Sequence, residues 1–299
     1  MLEFESGKLE MKYRLPLDMY DKVLDKNLRL LPNYSSFQLQ SATEMATQYY
    51  GFLHTDTIFN SVLVRQAFNY AIDREALCKY TIKGQGVPAL YGLVPPVFSK
   101  YPYSQIKGYS FNPEKARALL SKAGYPNGQS FPTVTLQLNS GGGRNLQVAE
   151  AVKKMLEENL NIKININQLT WAQHTENIET SKSSFWRLGW IADYPDPENY
   201  LNLCYSIHVP DSPQDKAYIN SFRYKSVQYD SLFVKANKEV NDSLRNYLMM
   251  KCDQKIVNDA VMLCLFHDQQ FRLLQPWVHN FPQNPMEYRT FREVYLSPK

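Results

Sequence analysis

Cysteine is scarce in this chain of 299 residues: Cys78, Cys204, Cys252 and Cys264 show neither a CxxC pair nor any metal-ligand spacing. Four buried thiols fit that pattern better than two disulfides, and Cys264 lies inside the apolar run 260–266, where a small hydrophobe fits. No apolar run approaches the ~18 residues of a membrane-spanning helix. Residues 1–8 contain no signal-peptide core, so the expectation is a cytoplasmic protein or a chain that starts in mid-protein. Excess charge of one sign is lacking too. With 33 basic and 29 acidic residues, a net charge of +4 and no Lys/Arg block, there is no electrostatic footprint for nucleic acid. The catalytic signatures GxSxG, HExxH, P-loop and GxGxxG are all missing, and Gly141-Gly142-Gly143 lacks the third, spaced glycine. His54, His174, His208, His267 and His279 are scattered without ligand spacing, so no metal or cofactor is expected. His267-Asp268 resembles a catalytic pair, but adjacent strand residues point to opposite faces. These absences argue against an enzyme.

What is present describes a folded α/β protein. Hydrophobic residues make up 44% and charged residues 21%, enough apolar material for one large or two ordinary domains. Aromatics reach 13%, with 21 tyrosines, a composition suited to half-polar grooves. Apolar spacing predicts a helix over 62–77, with Asp73-Arg74-Glu75 on its polar side. A second helix opens at Asn112-Pro113 and ends at Gly124. Strand 133–138, helix 147–160, strand 162–167, helix 171–181 and strand 185–191 follow in alternation, which is βαβ architecture with a parallel or mixed sheet. A long helix over 230–259 and a strand over 262–266 complete the pattern. Residues 1–48 and 271–299 supply short strands but too little apolar periodicity for a domain.

The stretch from Arg187 to Pro197 carries the most chemistry. Strand 185–191 runs into Asp193, Tyr194 and a Pro-Asp-Pro turn, and proline stiffens both itself and the residue before it. Asp193 is thereby held just past a strand end between Trp190 and Tyr194, an arrangement suited to a ligand with an ammonium group and an apolar side chain. Read alone, the stretch is also an ordinary strand-to-turn junction.

Four motifs in fixed order join it: 64–77 (Val-Arg-Gln-Ala-Phe-Asn-Tyr-Ala-Ile-Asp-Arg-Glu-Ala-Leu); Tyr109 to Ala116, closing at Ala123 to Gly128; Leu138-Asn139-Ser140; and Trp190-Ile191-Ala192-Asp193-Tyr194 with Trp171 upstream and Tyr229-Asp230 downstream. Together they resemble the carboxy-terminal half of the family 5 extracellular solute-binding proteins, the peptide and nickel class that serves ABC importers. The resemblance implies a periplasmic-binding-protein-like fold of type II: residues 49–270 as the second lobe with a mixed βαβ sheet, residues 1–48 and 271–299 as parts of the first. Family members are longer and begin with an export signal, so the chain reads as a fragment lacking most of the first lobe. The function implied is capture of oligopeptides or dipeptides between the lobes for a membrane permease. The place implied is the periplasm or cell exterior, with the full-length protein tethered at a membrane.

By the same resemblance, Asp193 pairs with the ligand's α-amino group, Arg187 meets a peptide carboxylate, and Trp190 and Tyr194 line side-chain pockets. Packing in the lobe's own core is the alternative for the two aromatics, and a solvated strand end for Arg187. Asn139 and Asn220 are further ligand candidates or simple turn caps, and Trp171 reads as structural. Two rivals stay open: a sensor lobe of a cytoplasmic transcriptional regulator, and a binder of a nickel complex, an oligosaccharide or an antibiotic.

Overall fold

Strands β1 (Met11–Lys12), β2 (Gln38–Phe52), β3 (Gly86–Pro88), β4 (Val134–Asn139), β5 (Ile164–Leu169), β6 (Phe185–Ile191) and β7 (Met262–Leu274) join in one mixed sheet of order β1-β7-β2-β6-β4-β5, with β3 on β7. The computed structural model describes residues 1–212 and 215–298. β4 runs parallel to both β5 and β6, as the βαβ reading requires, whereas β2 is antiparallel to β6 and β7. Alternation along the strands sends Tyr50, Phe52, Phe185 and Leu136 to one core, beneath the Val62–Tyr70 and Gly143–Leu160 helices. Met45, Tyr49, Trp186 and Met262 go to a second core on the opposite face, closed by the Val227–Lys238 and Asp242–Asn258 helices. Gly51 is obligatory at the β2–β6 contact, because a Cβ there would collide with the Trp186 indole.

β2 and β7 are long because each serves two bodies. Their outer halves, with β1, lie over a small core of Phe4, Tyr20, Val23, Leu24, Phe271 and Leu273. The change of body coincides with a bulge: pairing passes from Thr43↔Gln269 to Thr47↔His267, so Glu44, Met45 and Ala46 stand opposite Asp268 alone. Past the bulge β2 acquires β6 as its second neighbour, beginning at Ala46↔Ile191.

Five expectations change. The terminal segments do build a core, because residues distant in sequence complete one another's apolar faces. The strand predicted over 262–266 continues to Leu274, its polar outer half being satisfied by pairing with β2. The 62–77 helix stops at Tyr70, and Asp73 caps a short new turn by accepting from the Ala76 amide. Arg74, expected on a polar surface, is buried and donates to the carbonyls of Cys264 and Asn69 and to the Asn69 side chain. The 230–259 helix is two, separated at 239–241, where Asn241 caps the second by accepting from Leu244. All four cysteines are free thiols; Cys78, Cys204 and Cys252 are buried and Cys264 is half-buried.

Asp253 ties the second core together. Fully buried, its carboxylate accepts from the amides of Leu93 (2.8 Å) and Val94 (3.1 Å) and from the Tyr101 hydroxyl (3.1 Å). Burial pushes its pKa up to about 6 against the pull of those donors. Asp253→Ala strands three buried donors and is expected to cost about 3 kcal/mol, read as a lower midpoint in denaturant unfolding with an unchanged slope.

Candidate functional site

Because β4, β5 and β6 run the same way, their carboxyl ends share one edge of the sheet, the edge where α/β proteins place ligands. Asn139 ends β4, Leu169 ends β5 with the exposed Trp171 just beyond it, and Ile191 ends β6 and leads into the Asp193 loop. Trp171 and Ile191 present 56% and 70% of their surfaces to solvent, so the structural reading of Trp171 gives way to an exposed one.

The Asp193 loop is built stiffly. Asn199, buried, accepts from the Trp190 indole N–H (2.7 Å) and the Asp193 amide (3.2 Å) and donates to Asp193 Oδ2 (3.3 Å). Asp196 accepts from the Glu198 amide and takes a bidentate pair from Arg245 at 2.9 and 3.0 Å. Two clamps therefore hold an exposed carboxylate, and among the described residues no cation pairs with it. Trp190 packs half-buried against the second core, its core-packing role. Tyr194 is 45% exposed; partial burial raises its pKa, as does the hydrogen bond it donates to the Glu198 carboxylate.

Arg187 lies on the opposite charge balance. β2 pairing sets Tyr50 opposite Arg187 and Gln48 opposite Gly189, placing Gln48 and Arg187 on one face. The guanidinium donates to Asn139 Oδ1 (3.2 Å) and to Gln48 Oε1, both neutral acceptors. Gln48 in turn donates to Asp268 Oδ2 (2.6 Å), while Arg144 takes Asp268 Oδ1 at 2.6 Å. Asp268 thus neutralises Arg144, and an amide stands between it and Arg187. Desolvation lowers the pKa of Arg187, the mark of a cation without full compensation. Gly189 makes this possible, since a Cβ there would come within 2.6 Å of Gln48 Oε1. The strand carrying Arg187 is held from behind by buried His174, whose Nε2–H donates to the Arg187 carbonyl (2.8 Å) while Nδ1 accepts from Gln137 (3.0 Å). His267 and Asp268 do face opposite ways: the imidazole meets Thr47 in the second core.

Asn139 therefore stands at this edge, as a partner of Arg187. Asn220 does not: fully buried, it braces a turn by donating to the carbonyls of Tyr205 and Tyr224 and accepting from the Tyr224 amide. Sequence reading passed over Gln48 and Arg144 and weighed Asp268 only beside His267. Arg144 had a signal, the triple glycine before it, where Gly141 and Gly142 adopt φ of 107° and 102° and open the helix. A groove of about 780 Å³ reaches from Arg144 and Gly142 across to Arg14–Asp18 of the smaller body. A second groove, of about 570 Å³, is lined by Arg65 and Arg223, whose guanidinium groups are already spent on backbone carbonyls. Among the described residues no cluster of His, Cys, Asp and Glu is placed to hold a metal, and no helix is long and apolar enough to cross a membrane.

Residues 1–208 match the model of the bacterial extracellular solute-binding proteins, family 5. The chain belongs to that family. Among curated relatives, the periplasmic oligopeptide-binding protein OppA of Salmonella typhimurium is 25% identical over 98% of this chain and 51% of its own length. Heme-binding protein A of Haemophilus influenzae is 28% identical over 88% of this chain and 46% of its own. In three dimensions the unliganded open form of the murein tripeptide-binding protein MppA superposes with a TM-score of 0.80 at 24% identity, covering 99% of this chain and 54% of that one. Helicobacter pylori DppA in complex with the peptide STSA gives 0.79 at 24% identity, with the same coverage. These structures show the fold alone: the α/β, mixed-sheet architecture of type II periplasmic binding proteins, as expected. The chain spans about half the length of the curated relatives it matches.

The two arginines differ in a way that stability measurements resolve. Arg144→Met leaves Asp268 buried and unpaired and is expected to cost about 2–3 kcal/mol, whereas Arg187→Met removes an uncompensated cation and is expected to be neutral or to stabilise by up to about 1 kcal/mol. Thermal denaturation of both variants checks the contrast; equal losses would mean that Arg187 is an ordinary structural residue.

Proposed function

We propose that this chain is the carboxy-terminal part of a peptide-capturing solute-binding protein of an ABC importer, with the carboxyl edge of β4, β5 and β6 forming one wall of the ligand cleft. One observation carries the reading. A rigid, exposed carboxylate without a cation (Asp193) and a half-buried cation without a carboxylate (Arg187) stand on loop and strand of the same edge. A peptide carries the two complementary charges, an α-ammonium and a carboxylate, and its side chains would meet Trp171, Ile191 and Tyr194. Relatives named as oligopeptide-, murein-peptide- and dipeptide-binding proteins support a peptide ligand.

Residues 49–270 make up the second lobe in this reading, and residues 1–48 and 271–299 contribute to the first. In this reading the full-length protein works in the periplasm or outside the cell, tethered at a membrane and delivering to a permease; the periplasmic relatives support the compartment. Capture requires no chemistry. Two lobes close on the ligand, and closure favours whichever state binds it better.

With half the cleft, this chain alone is expected to bind trialanine more weakly than about 10 μM by calorimetry. Mass spectrometry of the ligand carried by the full-length protein is expected to give a ladder of short peptides, and Asp193→Asn to empty it. A single non-peptide species instead would end the α-amino role of Asp193 while leaving transport intact.

A further inference from the structure

Beyond β2 and β7, a third segment touches the junction between the two bodies. The tail after β7 returns to the bulge, where the Pro285 carbonyl accepts from the Met45 amide (2.9 Å) and Met286 packs on the second core. Glu44, in the bulge, and Glu287, in this tail, meet there. Glu44 is only 6% exposed, and both carboxyls share a single guanidinium: Arg14 reaches Glu44 Oε1 at 2.8 Å and Glu287 Oε2 at 3.1 Å. Glu287 Oε2 also accepts from the Tyr13 hydroxyl. Its other oxygen, Oε1, is buried with no hydrogen-bond partner among the described residues, and the Glu44 carboxyl is its neighbour across the shared guanidinium. One cation facing two carboxylates, and one buried acceptor lacking a proton, call for the same remedy.

We propose that Glu44 and Glu287 share one proton at neutral pH, and that this proton latches the carboxy-terminal tail to the β2 bulge, so that its loss in mildly alkaline conditions frees the junction. The other charges facing the pair do not replace the proton. Asp268 on β7 adds negative potential but is bound to Arg144; Arg289 lies over the Tyr13 ring at 3.8 Å; Arg272 is engaged with Gln40 and the Pro282 carbonyl. Desolvation, followed by the hydrogen bond that Glu44 donates to Glu287, pushes the Glu44 pKa up to about 8. The hydrogen bond donated by Glu44 holds Glu287 ionised.

The sign follows from proton counting. Between pH 5 and 8 the unfolded chain has lost the Glu44 proton and the folded chain keeps it, so stability falls as pH rises through that window. The consequence concerns lobe movement, not ligand identity, so the result stands apart from the peptide reading.

The test is a pH titration of this chain labelled with ¹³C at the glutamate carboxyls, followed by NMR. One carboxyl step above pH 7 is expected in the native chain and none in Glu44→Gln. The variant should also lose the decline in melting temperature between pH 5 and 8. Should Glu44→Gln fail to fold, Glu287→Gln is expected to move the high step down by at least one pH unit. If every glutamate of the native chain titrates below pH 6, the shared proton does not exist. If the high step persists in Glu44→Gln, it belongs to another group and the proposal fails.

Discussion

The pairing of β2 with β7 is the constraint on which everything else rests. Two strands adjacent in the sheet, but some 220 residues apart in the chain, hydrogen-bond along their length and carry both bodies of the molecule. Such a pairing closes a very long loop, so it forms only if the intervening residues bury enough surface to offset the entropy. The two cores on the sheet faces supply that surface. In return, the strands align the bulge, β6 and the site edge in a single register. At the bulge β2 keeps β7 and gains β6 without breaking the sheet, which is how one strand belongs to two bodies.

Much of this was legible in the residues. The alternation of 133–138, 162–167 and 185–191 placed β4, β5 and β6 within about two residues, because half-buried strands imprint a period of two whatever their partners. The Trp190–Tyr194 motif marked the edge at which the exposed carboxylate stands. Other features depend on contacts between distant segments and leave no local trace. Polar Gln269, Gln270 and Arg272 hid the outer half of β7. Arg74 reads as a surface residue until three bonds to backbone carbonyls and one to the Asn69 side chain bury it. Gln48 looks like any strand glutamine, and its role as a spacer between Arg187 and Asp268 exists only once β2 and β6 are paired. Asn220 is the converse: its residue type suggested a ligand contact, and the fold uses it up on a turn.

The distribution of charge separates scaffold from site. Scaffold cations such as Arg65 and Arg74 are buried and saturated with carbonyl partners, and His54 and His267 are held neutral by burial, with pKa values near 3. At the sheet edge the charges are left open: among the described residues Asp193 is oriented by Asn199 but meets no cation, and Arg187 is bonded but meets no carboxylate. A fold that saturates its buried arginines elsewhere gives up stability at those two positions, as functional sites commonly do.

The loop bearing Asp193 is also mechanically linked to the bulge. Asp196 grips Arg245 near the start of the Asp242–Asn258 helix, and Asp253, two turns on, grips the 92–94 loop. That loop's Leu93 carbonyl accepts from Thr47, the first β2 residue past the bulge to pair again with β7. A rigid rod about 12 Å long between its two handholds therefore spans from the Asp193 loop to the bulge. A tilt imposed at one end is delivered to the other as a displacement of the backbone, so the exposed carboxylate and the point where the sheet changes neighbours behave as parts of one lever.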